Sequence, residues 1–153
     1  MSAEQRLQEL GITLPDAPKP VAAYVPFVRS GDLIFTSGQI AVEGGQLKYK
    51  GKVGRDLTPE EGYQAARLCA INTLAVLKSA VGSLDKVAQI VKVVVFVNSA
   101  DGFTGQPAVA NGASELYQQV FGEAGLHARS AVGASELPMG TAVEVEVIAR
   151  ISE

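Results

Sequence analysis

One cysteine, one histidine and no tryptophan occur in the 153 residues. A lone Cys69 closes no internal disulfide, and Cys69 with His127 makes no metal-binding cluster, so no metal is expected. Charge is also scarce: Asp, Glu, Lys and Arg make up 19%, against about a quarter in an ordinary domain. The net charge is −3 and the isoelectric point about 5.2. With no basic block, the electrostatic footprint of a nucleic-acid binder is missing. No apolar run approaches the roughly 20 residues that span a bilayer. The start, Met1-Ser2-Ala3-Glu4-Gln5-Arg6, lacks the basic and apolar regions of a secretory signal. The expectation is a cytoplasmic protein with neither nucleic acid nor membrane as partner.

Apolar residues, in contrast, are plentiful. They make up 47% of the chain, and the mean hydropathy is +0.18. The length suits one domain with a real core. The low charge leaves more apolar surface than one small sheet-and-helix unit easily hides.

The local signals alternate between strands and helices. Ser2–Leu10 predicts a short helix capped by Ser2 and ended at Gly11. Pro15, Pro18 and Pro20 make the next stretch an extended connector. Tyr24–Arg29 and Leu33–Ser37 predict two strands around a tight Ser30-Gly31-Asp32 turn. Glu43-Gly44-Gly45-Gln46 is a second turn before a short strand near Leu47–Tyr49. Thr58-Pro59-Glu60-Glu61 starts a helix, with Thr58 as cap, Pro59 at the first helical position and Glu61 completing a capping box. Tyr63, Ala66, Ala70, Leu74, Leu77 and Val81 then recur on one face, up to Gly82. Ile90–Val97 is a strand by its β-branched content. A second helix runs from about Pro107 to Phe121, and Arg129–Ala134 and Ala142–Ile151 are the closing strands. The order predicts an α+β fold: a mixed sheet of five to six strands backed by two helices on one face.

Ile90–Val97 is apolar on both faces apart from Lys92. Such strands are covered on both sides, yet two helices cover only one face of the sheet. The simplest cover for the other is a second copy of the chain. The competing expectation is that Ser2–Leu10 and the proline connector fold over it.

The familiar reactive motifs are absent. Gly51-Lys52-Val53-Gly54 lacks Walker spacing, and Ser37-Gly38-Gln39 lacks the first glycine of a nucleophile elbow. By residue type and context, Cys69 is a small buried hydrophobe and His127 a solvated loop residue, although it could shuttle a proton near neutral pH. In Thr141–Ile151, Val143, Val145 and Val147 share one face while Glu144 and Glu146 fall on the other. Carboxylates among apolar residues are costly unless paired, which makes Arg129 and Arg150 candidate partners.

Several separated motifs, taken together, resemble one family. Ala128-Arg129-Ser130, then Leu137-Pro138 and Val143-Glu144-Val145-Glu146, resemble the C-terminal signature of the RidA (YjgF) family. Phe35-Thr36-Ser37-Gly38-Gln39-Ile40 resembles its second-strand motif, and Tyr24, Asn72 and the Ile90–Asn98 strand fall in place. The resemblance spans about residues 22–151. It divides the chain into an N-terminal helix with a proline-rich extension (1–21) and a RidA-like domain (22–153).

The resemblance implies a fold similar to chorismate mutase of the Bacillus type, assembled as a homotrimer with three clefts between subunits. It implies hydrolysis of reactive 2-imino and enamino acids to 2-keto acids and ammonia, without metal or organic cofactor. Arg129 matches the family's carboxylate-binding arginine and Glu144 its water-activating glutamate. Tyr24 and Ser37 match cleft-lining residues. Two positions depart from the pattern: Ala131 replaces the usual cysteine, and Ser114 aligns with the usual helix asparagine. The first excludes a thiol nucleophile, leaving activated water. His127 and Glu146 are further candidates, and Gly102–Gly112 exceeds the compact family pattern. The alternatives are a non-catalytic trimer that binds a small carboxylate and, disfavoured by charge, an endoribonuclease or translation inhibitor.

Overall fold

In the computed structural model, residues 1–21 and 23–152 are described. Helix α1 (Ala3–Glu9) begins at the expected cap: the Ser2 hydroxyl accepts from the Gln5 N–H and the Gln5 side chain accepts from the Ser2 N–H. Strands β1 (Phe27–Ser30) and β2 (Leu33–Thr36) pair through Gly31-Asp32, with Gly31 at φ +62°. Short β3 (Gln39–Ile40), β4 (Val42–Glu43) and β5 (Gln46–Leu47) follow. Helix α2 (Pro59–Val81) has the complete Thr58/Glu61 capping box and ends on Gly82 in the left-handed conformation. The remaining elements are β6 (Val87–Asn98), α3 (Gln106–Phe121), β7 (Ala128–Ala134) and β8 (Val143–Ile151). Most of the Gly102–Gly112 stretch is the entry and first turns of α3.

The six-stranded sheet has the order β1-β2-β8-β6-β7, with β3 also paired to β8; β4 and β5 form a separate hairpin. Among the described strands of the sheet only β6 and β7 run parallel, and α3 makes the crossover between them. Both long helices pack on one face over Val93, Val95, Val97, Val143, Val145 and Val147, all buried. The buried stripe of α2 is wider than its periodicity predicts: Gly62, Ala65, Cys69, Thr73 and Val76 are also buried, while Tyr63 and Val81 are only half-buried. Where α3 crosses α2, a side chain on Gly112 would strike the Tyr63 carbonyl oxygen, so the helices meet backbone to backbone.

Helix α1 joins the helix layer. Leu7 is buried, and Glu4 accepts from Lys78 (3.0 Å) and from the Leu84 N–H (2.7 Å). It therefore leaves the opposite face of the sheet bare, and the expectation that it folds over that face is not met. Register shows what that face holds. Val28 lies beside Phe35, Phe35 beside Ile148, Val94 beside Glu146, and Phe96 beside both Glu144 and Val132. Val28, Phe35 and Val132 are 55%, 39% and 44% exposed, so this face is apolar, uncovered and crossed by two carboxylates. The first strand is also shorter than expected. It starts at Phe27, and Tyr24 precedes it in a bridge to Val21. Among the described residues no helix is long and apolar enough to cross a membrane.

Candidate active site

The break between β2 and β3 creates a pocket. Ser37 ends the first hairpin: its N–H donates to the Pro26 carbonyl (2.8 Å) and its hydroxyl to the Val25 carbonyl (2.6 Å). On α2, Asn72 donates to the Ile40 and Val42 carbonyls (both 2.9 Å), holding β3 and β4 against the helix. The cavity left beside them is about 620 Å³, and its lining includes Tyr24, Gly38, Gln39, Asn72, Pro138 and Glu144. Pro15, Asp16 and Pro18 of the proline segment form part of its wall. A cavity of similar size, about 610 Å³, lies between α1, the proline segment and α2, and it contains none of the candidate residues.

Glu144 projects from β8 into the first cavity, across the bare Cα of Gly38. A side chain at Gly38 would overlap the Glu144 carboxylate. Burial raises the Glu144 pKa above the ordinary glutamate value, and the charge on Glu146 raises it further. A carboxylate so placed is a stronger base than one in water. Gly38→Ala is therefore expected to push the carboxylate aside. Any reaction that uses Glu144 as a base should slow about tenfold or more, while the melting temperature falls by only a few degrees. An unchanged rate in the folded variant would show that the position of Glu144 does not matter.

Arg129 lies elsewhere. It pairs with Val93 across β6–β7, and Val93 pairs with Val147, so its side chain leaves the helix face of the sheet. There Nη1 donates to Asn111 Oδ1 (2.8 Å) and Ser114 Oγ (3.2 Å), both on α3. Ala131 points the same way, against the core. Glu144 leaves the other face, two strands away. The expected pairing of Arg129 or Arg150 with Glu144 or Glu146 is thus not formed. Register sends Arg129 to the opposite face, and Arg150, exposed, lies four residues beyond Glu146. Among the described residues neither Glu144, Glu146 nor Arg129 has an ion-pair partner.

His127 also departs from expectation. It is half-buried: Nε2 is 2.8 Å from Ser114 Oγ and Nδ1 2.6 Å from the Gly125 carbonyl. Burial lowers its pKa, the bond to Gly125 opposes this, and Arg129 lowers it further. The residues fall into two groups within one chain: Tyr24, Gly38 and Glu144 at the pocket, with Ser37 next to Gly38 in the chain and Glu146 two residues on from Glu144 along β8; and Arg129, Ser114, His127 and Ala131 at the β7–α3 edge. Sequence reasoning missed Asn111. Its signal is its place one turn before Ser114 on α3, a spacing that puts both on one side of the helix.

These features match a known class. A family profile described as "YjgF/chorismate mutase-like, putative endoribonuclease" matches residues 4–151, and the chain belongs to that family. Protein TCP17 of Trypanosoma cruzi is 46% identical over 147 residues, covering 95% of this chain and 92% of that protein. A crystal structure of a protein of unknown function from Agrobacterium tumefaciens superposes with a TM-score of 0.92 at 46% identity, covering 98% and 92% of the two chains. A 2-iminobutanoate/2-iminopropanoate deaminase of Dermatophagoides farinae is 31% identical over 137 residues, 90% of this chain and 92% of that protein. The mixed sheet backed by helices is thus the family fold, and the family includes deaminases of reactive intermediates.

Proposed function

We propose that this protein is a cytoplasmic homotrimer that hydrolyses 2-imino and enamino acids to 2-keto acids and ammonia in clefts between subunits. One observation carries the reading. A half-buried cation, Arg129, and a half-buried carboxylate, Glu144, lack counter-ions among the described residues and leave opposite faces of one sheet. Neither charge is neutralised within its own chain, so each is left to act on a bound substrate. Joining the β7 edge of one copy to the open face and pocket of the next would bring the two half-sites together. It would also cover Val28, Phe35 and Val132.

In such a cleft Arg129 holds the substrate carboxylate with a planar fork. The C=N carbon then lies near the pocket that holds Glu144. Glu144 takes a proton from water as the water oxygen bonds to that carbon and passes it to nitrogen, giving a carbinolamine; it then takes the hydroxyl proton and delivers it to nitrogen as the C=O bond forms and the C–N bond breaks. The products are the keto acid and ammonia, with no net change in protons or electrons. Holding the reactants together suffices for an already reactive imine. RNA cleavage fits poorly, because Glu144 and Glu146 would repel a phosphate chain.

The test generates imines from a panel of amino acids with an amino-acid oxidase, with semicarbazide competing for them. Added protein should raise keto-acid release at the expense of the trapped imine. No gain across the panel, with 2-keto acid binding retained, would identify a non-catalytic carboxylate binder instead. Light scattering should give about three times the 15.9 kDa chain mass. A particle of one chain mass at micromolar concentration refutes the shared cleft.

A further inference from the structure

The contacts of Arg129 have defined directions. Nη1 carries two hydrogens, and Asn111 and Ser114 take both. The Ser114 hydroxyl retains its own proton, with His127 Nε2 at 2.8 Å. On the other side of the ring the Gly125 carbonyl can only accept, so Nδ1 carries the ring proton and Nε2 accepts. One direction satisfies every contact: Arg129 donates to Ser114, Ser114 to His127, and His127 to the Gly125 carbonyl. The ring stands edge-on to Tyr117, with centroids 5.9 Å apart, and the Tyr117 hydroxyl meets Thr73 of α2 at 2.6 Å. The guanidinium is thereby tied through α3 to α2.

Nε–H and the two N–H groups of Nη2 have no partner among the described residues. Nε and Nη2 form the side edge of the guanidinium, whose spacing matches the two oxygens of a carboxylate. The end-on pair is unavailable because Nη1 is fully used. We propose that Asn111 and His127, the latter through Ser114, are positioning residues that turn Arg129 so that its Nε/Nη2 edge takes the substrate carboxylate side-on. The proposal rests on the imine-hydrolase reading of the site. It assigns to this edge a ligand with a single carboxylate beside the reacting carbon.

Two amides at position 127 separate this role from simple packing. Glutamine carries its amide oxygen to about where Nε2 sits and can accept from Ser114. Asparagine ends near Nδ1 and reaches only the Gly125 carbonyl. KM and kcat for the imino acid, and Kd for 2-oxobutanoate as an unreactive carboxylate probe, are measured on wild type, H127Q, H127N, N111A and N111D. In H127N and N111A, KM and Kd should rise about tenfold with kcat within about twofold, the scale of one hydrogen bond to a charged group. H127Q should stay within about threefold of wild type. N111D, nearly isosteric but anionic, should raise KM the most because it competes with the substrate carboxylate, and it decides the matter if H127N fails to fold. Unchanged KM and Kd in N111A and N111D, or H127N equal to H127Q, would overturn the proposal. The expected pattern in Kd without turnover in any protein would sink the hydrolase reading and leave the positioning role standing. Turnover without the pattern does the reverse.

Discussion

Replacing Arg129 with alanine is expected to lower kcat/KM for imino-acid hydrolysis about a thousandfold while the chain still folds. The fork makes two charge-assisted hydrogen bonds to a carboxylate, each worth about 1.5–3 kcal/mol. A combined loss of about 4 kcal/mol is a factor of about a thousand. The cost to folding is much smaller. Arg129, Asn111 and Ser114 are only half-buried, so water can replace the lost contacts, and the melting temperature should move by only a few degrees. Arg129→Lys keeps the charge but loses the fork and cannot reproduce both bonds to α3. It should recover no more than about tenfold of the loss. Steady-state kinetics beside a thermal melt read both effects. A folded alanine variant within threefold of wild type would show that this arginine does not bind the substrate.

How much of this could be read in advance depended on whether a signal was local. Thr58, Pro59 and Glu61 set the start of α2 by contacts within four residues, and the structure has each of them. The Val143-Glu144-Val145-Glu146 alternation sorts itself onto two faces because β8 lies in mid-sheet with helices on one side only. The β7 strand misleads for the complementary reason. By hydropathy Val132 belongs inside and Arg129 outside. But β7 is an edge strand, and its parity is fixed by pairing with β6, which puts Val132 on the open face and Arg129 under α3. No local pattern carries that register. His127 reads as solvated for a similar reason: the carbonyl and hydroxyl that hold it come from Gly125 and Ser114, and only the fold brings Ser114 near. Asn111 shows in the sequence only as a polar residue one turn before Ser114, because its role exists only once Arg129 lies against α3.

The same open face sets a conflict between stability and function at Glu144. Glu144→Gln is expected to lower kcat about a hundredfold or more, the usual worth of a positioned general base, while KM changes little because Arg129 still holds the carboxylate. Yet the variant should melt above wild type at pH 7. The native pKa of Glu144 is raised by burial and by Glu146, so its protonated form is the one the fold favours. That contribution is fully present below the ordinary glutamate range and is lost as the pH rises through the native pKa. At pH 7 wild type therefore carries a desolvated charge beside Glu146, and the glutamine variant does not. The gain should be about one to three degrees and should vanish as the pH falls toward about 4, where the wild-type carboxyl is itself protonated. Thermal melts of both proteins across that range decide it. A glutamine variant that melts at or below wild type at pH 7 would mean that a cation neutralises Glu144 in the assembled protein, and one that keeps a third of wild-type kcat would remove Glu144 from the chemistry. If both expectations hold, the charge on this otherwise apolar face is kept at a cost to stability because hydrolysis needs it there.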